Sequence, residues 1–385
     1  MNKRYKIAFA TGSRADYGIV RKYIAMLNED SQIDFSILAT GALLDEKFGN
    51  ARRIVEADGF RIGYECKVDN KSNKLSDTTN IMAEVLREFG KHFEEVKYDL
   101  LILLGDRYEI YSVAIAAAMN RLPILHLHGG EATFANYDEF IRHAITKMSR
   151  FHFTATEEYR KRVIQLGENP ADVFYLGALG AENCLSIEMK NVDVRLVALP
   201  EKKTFTVLFH PETLNETSPL NQINKLLAAI DKYIDDYQFV FIGSNADTAS
   251  NVIMCRIEEY CGSQNNAHYF VNLHPDSYHY IVKKSLALIG NSSSGIIEVP
   301  SLGSFTINIG DRQAGRVRGN SVIDVKCETP AIENAIAKVI GGVGCANIVN
   351  PYYKENATVL YYETTRLILD RLSSLNYKEF YDLNF

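Results

Sequence analysis

Three short runs gather side chains suited to proton chemistry. They are Gly105-Asp106-Arg107-Tyr108-Glu109, His126-Leu127-His128-Gly129-Gly130-Glu131 and Asn136-Tyr137-Asp138-Glu139-Phe140-Ile141-Arg142-His143. The first two follow adjacent apolar runs that read as strands, so Asp106, Glu131 and Asp138 can converge. Several carboxylates in one place serve acid and base roles. Helix capping competes for two of them, since Asp106 and Asp138 both precede helical patterns. His126 and His128 invite a metal reading with Glu131, because alternation along a strand points both rings the same way. No third ligand, however, is spaced as in zinc motifs.

A second group of runs suits an anionic ligand. Gly12-Ser13-Arg14-Ala15-Asp16-Tyr17-Gly18 follows an apolar run and opens a helical pattern, which aims backbone N–H groups and Arg14 at a phosphate. It does not match GxGxxG, which weakens a nicotinamide reading, and a plain strand-to-helix turn with a solvated arginine is the alternative. Gly290-Asn291-Ser292-Ser293-Ser294-Gly295 has the form of an amide-and-hydroxyl nest at a helix N-terminus, with Glu298 about one turn on, where a carboxylate could accept both ribose hydroxyls. A serine cap alone would account for one of the three serines. The loop from Asn308 to Gly319 holds Arg312, Arg316 and Arg318, an unusual concentration in a chain of net charge −6. His210-Pro211-Glu212 and Ser244-Asn245-Ala246-Asp247 end two further apolar runs, and His210 has the means to bond a phosphate or donate a proton.

The elements that must carry these runs alternate. Ile7–Ala10, Phe35–Leu38, Leu100–Leu104 and Ile124–Leu127 read as strands buried on both faces, with helical patterns such as Ile19–Leu27 and Ile81–Phe93 between them. The rhythm restarts after the polar stretch Glu188–Lys203, with Phe205–Phe209, Phe239–Ile242, Tyr269–Val271, Leu286–Ile289 and Phe305–Ile309. Strand alternating with helix implies βαβ units and parallel sheets, here in two domains at 1–187 and 188–363. Ala357–Leu375 lacks Gly and Pro and reads as a C-terminal helix. Ligands of open α/β sheets bind at the carboxyl ends of strands, so the organisation predicts a site between the domains.

Composition narrows the function classes. A length of 385 residues, 46% hydrophobic and 23% charged, supports two buried cores and excludes disorder. Negative net charge disfavours an extended nucleic-acid surface. The longest apolar stretch, Tyr111–Met119, is too short to span a bilayer, and the N-terminal apolar run is too short for a secretion signal. Six cysteines without CxxC spacing suit reduced thiols in the cytoplasm.

TGSRADYGIV, LGDRYEI, HGGE, NYDEFIRHAITKMS, FHPET, IGSNAD, GNSSSGIIEVPSLG and INIGDRQAGRVRG, in this order and spread over nearly the whole chain, resemble the hydrolysing UDP-N-acetylglucosamine 2-epimerases of bacterial sialic acid biosynthesis. The resemblance implies an α/β, GT-B-like fold: two Rossmann-like domains with parallel sheets facing a central cleft, and residues 364–385 returning as a helix onto the first domain. It implies UDP contacts at Arg14, Ala15, Arg107, His210, Asn245, His274, Ser292, Ser293, Glu298 and Arg312. Asp106, Glu131 and Asp138 become the catalytic carboxylates, with Arg142 and His210 beside them. UDP-N-acetylglucosamine and UDP are the implied ligands, with no metal or nicotinamide cofactor. Such enzymes are cytoplasmic homodimers or homotetramers that supply sialic acid for capsule polysaccharide. The loop HLHGGEATFANYDEFIRH differs from that of the non-hydrolysing relatives, and no kinase activity is implied. Two alternatives keep the nucleotide half: the same chemistry on a UDP-diacetamido-6-deoxy sugar, and a GT-B glycosyltransferase. A non-catalytic UDP-sugar sensor would not need the three carboxylates.

Overall fold

A computed structural model describes residues 4–45, 51–69, 75–134, 137–212, 217–243, 250–271, 273–342, 347–372 and 378–383. The chain divides into two compact units. The first comprises Met1–Glu131, Tyr137–Leu179 and Lys354–Phe385, and the second comprises Ala132–Asn136 and Gly180–Tyr353.

The first unit is a seven-stranded sheet of β1 (Tyr5–Thr11), β2 (Ile33–Thr40), β3 (Ile62–Cys66), β4 (Leu100–Leu104), β5 (Ile124–Leu127), β6 (Phe151–Thr154) and β7 (Val173–Tyr175). Their order is β3-β2-β1-β4-β5-β6-β7 and every pairing is parallel. The apolar runs lack alternation because helices cover both faces. Ile7 and Phe9 pack with Val20 and Ile24 on one side, while Ala8 and Ala10 pack with Val85, Phe89 and Val113 on the other. The helix Arg14–Glu29 buries Tyr17, Val20, Ile24 and Leu27, a three-and-four spacing that makes one apolar stripe.

The C-terminal helix, Ala357–Arg371, belongs to this unit and starts at Ala357, where the absence of Gly and Pro placed it, rather than at the domain bound of 364. Tyr361 and Thr365 face Tyr23 of the helix Arg14–Glu29. The two tyrosine rings pack edge to face, the Tyr23 hydroxyl meets Thr365 Oγ1 at 2.7 Å, and Tyr361 donates to the Gly177 carbonyl at 2.8 Å.

The second unit is a six-stranded parallel sheet of β8 (Thr204–Leu208), β9 (Gln238–Ile242), β10 (Ala267–Phe270), β11 (Ser285–Gly290), β12 (Phe305–Ile309) and β13 (Val322–Val325), ordered β10-β9-β8-β11-β12-β13. The polar stretch Glu188–Lys203, taken from sequence as the break between domains, lies inside this unit. Leu196 is buried against Val240, Phe270 and Ile281, and Asp193 N donates to Ser277 Oγ at 2.9 Å, so the polar residues are the outer face of a packed segment. Apart from the short excursion Ala132–Asn136, the chain passes between units at Leu179–Gly180 and Tyr353–Lys354 rather than at 187 and 363.

Both sheets reverse strand order once, between β1 and β4 and between β8 and β11, which are the positions where open α/β sheets bind ligands. Gly290 closes β11 at φ +149°, where a Cβ would collide with the Leu208 carbonyl of β8, so only glycine lets the chain turn there. Among the described residues, no helix is long and apolar enough to cross a membrane. Cys66, Cys184, Cys255, Cys261 and Cys327 are free thiols.

Candidate active site

In the first unit, one arginine organises the acidic runs. Arg142 sits on the helix Asp138–Met148 and is 1% exposed. Its Nη2 pairs with the Asp106 carboxylate, and its Nη1 donates to the Glu131 carbonyl at 2.8 Å and to Glu139 Oε2 at 3.0 Å. Asp138 opens the same helix one turn earlier and is half-buried, so all three carboxylates belong to segments that Arg142 joins. Truncating a buried arginine of this kind would leave an unpaired carboxylate, a cost of several kcal/mol.

The two histidines have separate tasks. His126 lies within β5, fully buried, with Nε2 at 2.9 Å from the Gly105 carbonyl and Nδ1 at 3.1 Å from Thr146 Oγ1. Burial pushes its pKa down to about 3, so the ring is neutral and ties the end of β4 to the Arg142 helix. His128 stands beyond the strand end at φ 65°, in the left-handed region, with Nδ1 at 3.0 Å from Glu131 Oε1. Strand alternation therefore does not align the two rings, and both His126 nitrogens are occupied. Among the described residues, no group of three acidic, Cys or His side chains has metal-binding geometry.

Beside Asp106, Arg107 is flanked by two carboxylates. Its Nε donates to Glu109 Oε1 at 2.5 Å. Burial pulls its pKa down, but the charges of Glu109 and Asp16 outweigh this and hold the guanidinium ionised. Asp16 lies in the first turn of the helix Arg14–Glu29, where the Ser13 hydroxyl caps its amide at 3.1 Å. Burial raises the Asp16 carboxyl to about 6, against the lowering pull of Arg107. Arg14 and Ala15 are exposed at the start of this helix.

In the second unit, a buried amide is the central brace of the site. Asn291, fully buried, accepts from His210 N at 2.7 Å through Oδ1 and donates to the His210 carbonyl at 2.9 Å through Nδ2, which locks the end of β8 to the end of β11. Its own carbonyl accepts from Arg312 Nη1 at 3.3 Å and Gln313 Nε2 at 2.9 Å. Burial, helped by Arg312, pushes His210 down to about 3. A neutral imidazole keeps one N–H, which it can donate to an anion. Glu212 Oε1 accepts from the amides of Asp311 and Arg312, both at 2.9 Å, so the His-Pro-Glu run fixes the arginine loop.

Other expectations change. Ser292 Oγ lies 3.0 Å from Ser294 Oγ, whose second neighbour is the Tyr278 hydroxyl at 2.6 Å. Ser293 precedes a helix of one turn only, Ser294–Ile297, because Pro300 stops its continuation and a 3₁₀ turn, Val299–Leu302, follows. The nest therefore has local amides and hydroxyls but little macrodipole. Glu298 closes that turn and accepts from His279 Nε2 at 2.9 Å. Of the three arginines, Arg318 is engaged with Asp324 at 3.1 Å and with the Arg316 carbonyl at 2.7 Å. His274 caps the helix Pro275–Lys284, accepting from Asp276 N at 3.2 Å, and is exposed. Asn245 lies outside the described residues, as does Asn136. Sequence reasoning missed Asn291, Glu109 and Asp16 as site residues, although each stands within a quoted run.

The family model for UDP-N-acetylglucosamine 2-epimerase matches residues 25–364. The chain is 47% identical to Polysialic acid biosynthesis protein P7 of Escherichia coli, over 98% of this chain and 97% of that protein. It is 35% identical to the GDP/UDP-N,N'-diacetylbacillosamine 2-epimerase (hydrolyzing) of Campylobacter jejuni, over 84% of this chain and 85% of that one. Among solved structures, UDP-GlcNAc 2-epimerase from Neisseria meningitidis, bound to UDP-GlcNAc, aligns with a TM-score of 0.79 at 18% identity, over 94% of this chain and all of that one. That likeness shows the fold, two Rossmann-like domains of GT-B-like type.

Proposed function

We propose, from the premise that the chain belongs to the UDP-N-acetylglucosamine 2-epimerase family, that it is a hydrolysing member, converting UDP-N-acetylglucosamine and water to N-acetylmannosamine and UDP. The product is the entry point to sialic acid, in keeping with the 47% identity to a polysialic acid biosynthesis protein. The observation that carries the chemistry is the gathering of Asp106, Glu131 and the Asp138 helix around Arg142.

The C2 hydrogen of the substrate is not α to a carbonyl, so a carboxylate cannot remove it by making an enolate. Departure of UDP with the C1–O electron pair gives C1 oxocarbenium character and acidifies C2–H. A carboxylate then takes that proton, and the C–H electrons form the C1=C2 bond of 2-acetamidoglucal. Water adds at C1, and a proton returns to C2 from the opposite face. Asp106, Glu131 and Asp138 share proton removal, proton return and water activation. Arg14, Arg107, Arg312, the amides at Ser292 and Ser293, and neutral His210 bind the diphosphate, while Asn245, Ala15, His274 and Glu298 complete the family's nucleotide set.

Proton NMR of the protein with UDP-N-acetylglucosamine in D₂O tests this reading. The expected products are UDP and N-acetylmannosamine carrying deuterium at C2. Product without C2 deuterium would remove the elimination route, and no turnover would remove the assignment. A second reading, the same reaction on UDP-N,N'-diacetylbacillosamine, is favoured by the 35% identity to the Campylobacter enzyme. Comparing kcat/KM for the two sugars decides between them.

A further inference from the structure

Glu109 is a buried charge that the mechanism does not use. It stands in the first turn of the helix Tyr108–Met119 and is 1% exposed. Oε1 takes the Arg107 Nε–H at 2.5 Å, while Oε2 is closed off from solvent and has no hydrogen-bond partner. Burying a carboxylate that is only half satisfied is destabilising, so a purely structural role would be better served by an apolar side chain.

The surrounding backbone makes room for it. A Cβ at Gly12 would fall 2.6 Å from Oε1, and one at Gly41 would fall 3.0 Å from it. Glycines at the ends of β1 and β2 thus form a niche that clamps the carboxylate against the end of β4. Arg107 is hydrogen-bonded from one side only: Nε is anchored, neither Nη has a hydrogen-bond partner among the described residues, and 39% of the side chain stays exposed. A guanidinium fixed at Nε with its outer edge open is prepared for a bidentate anion.

We propose that Glu109, seated in the Gly12–Gly41 niche, is a positioning residue that aligns Arg107 for the diphosphate of the nucleotide sugar. The inference rests on the reading of Arg107 as a diphosphate contact. It predicts that Glu109 acts on binding only through Arg107.

A double-mutant cycle on UDP affinity, measured by titration calorimetry on the full chain, tests it. Arg107→Ala is expected to weaken UDP about 10-fold or more, and Glu109→Gln about 5-fold, as charge-assisted bonds are lost. In the Arg107→Ala background, Glu109→Gln should have no further effect. Equal losses from Glu109→Gln in both backgrounds would overturn the positioning role alone. Unchanged affinity in Arg107→Ala would overturn the diphosphate reading and the positioning role with it. Glu109→Gln keeps shape and acceptor, which protects the fold. Gly12→Ala, which crowds the niche and leaves both charges in place, should reproduce the loss and likewise show none without Arg107.

Discussion

The first unit arranges its site with charge against charge, whereas the second braces its site mostly with neutral amides and hydroxyls. Asp106 faces Arg142 and Glu109 faces Arg107. Across the second site the key brace is Asn291, and the adjoining His210 is kept neutral by burial. Groups that exchange protons need partners that hold their geometry while charge changes. Groups that hold a polyanion need donors fixed in place, by a buried amide as at His210 or by a partner carboxylate as at Arg107. The contrast predicts different failures when each site is damaged.

The largest expected effect is in the first unit. Asp106→Asn keeps the side-chain shape but removes the charge paired with Arg142, and should lower kcat by about 10²-fold or more. UDP affinity should change less than about 3-fold, because nucleotide binding is assigned mostly to other groups. Steady-state kinetics with calorimetry on the same folded variant checks both, and near-normal turnover would remove Asp106 from the catalytic set.

In the second unit the effect should invert. Asn291→Ala unties His210 from the β11 end and leaves buried backbone groups unsatisfied, at about 1–3 kcal/mol. UDP should bind about 10-fold more weakly, with KM rising more than kcat falls. A folded Asn291→Ala protein with unchanged UDP affinity would contradict the bracing role.

The fold was legible where strands are buried on both faces, since β4, β5 and β12 coincide with their apolar runs to the residue. β3, β6, β7 and β13 escaped notice for physical reasons. β3 and β13 are half-exposed edges or near-edges with mixed polarity, β6 carries a histidine in the fully buried run Phe-His-Phe-Thr, and β7 has three residues. At the site, Asp106, Glu131 and Arg142 stood out by residue type. Asn291 did not, because a buried amide serving backbone groups looks in sequence like any polar loop residue. Glu109 was hidden by its spacing: two residues after Arg107 it reads as part of a helix start, and only the glycines at 12 and 41 reveal that it is enclosed. The helix after Ser293 is one turn long because Pro300 interrupts it, a stop that residue type alone signals.

The smallest expected effect separates the cost of the first unit's charge network from its benefit. Asp16 has a folded pKa of about 6 against an ordinary value of 3.8, and its Oδ2 is closed off without a hydrogen-bond partner. Between those values the folded state holds the proton more tightly than the unfolded chain, so stability falls as pH rises through the window and the full penalty applies above it. Asp16→Asn abolishes the titration. At pH 7.5 it should therefore stabilise the protein by about 1–2 kcal/mol, discounted because the residue is half-buried. At pH 3.5, below both pKa values, most of the gain should be gone. Denaturant melts of both proteins at the two pH values measure this. A gain that is the same at both would mean that Asp16 strains the helix start by shape rather than by its buried charge.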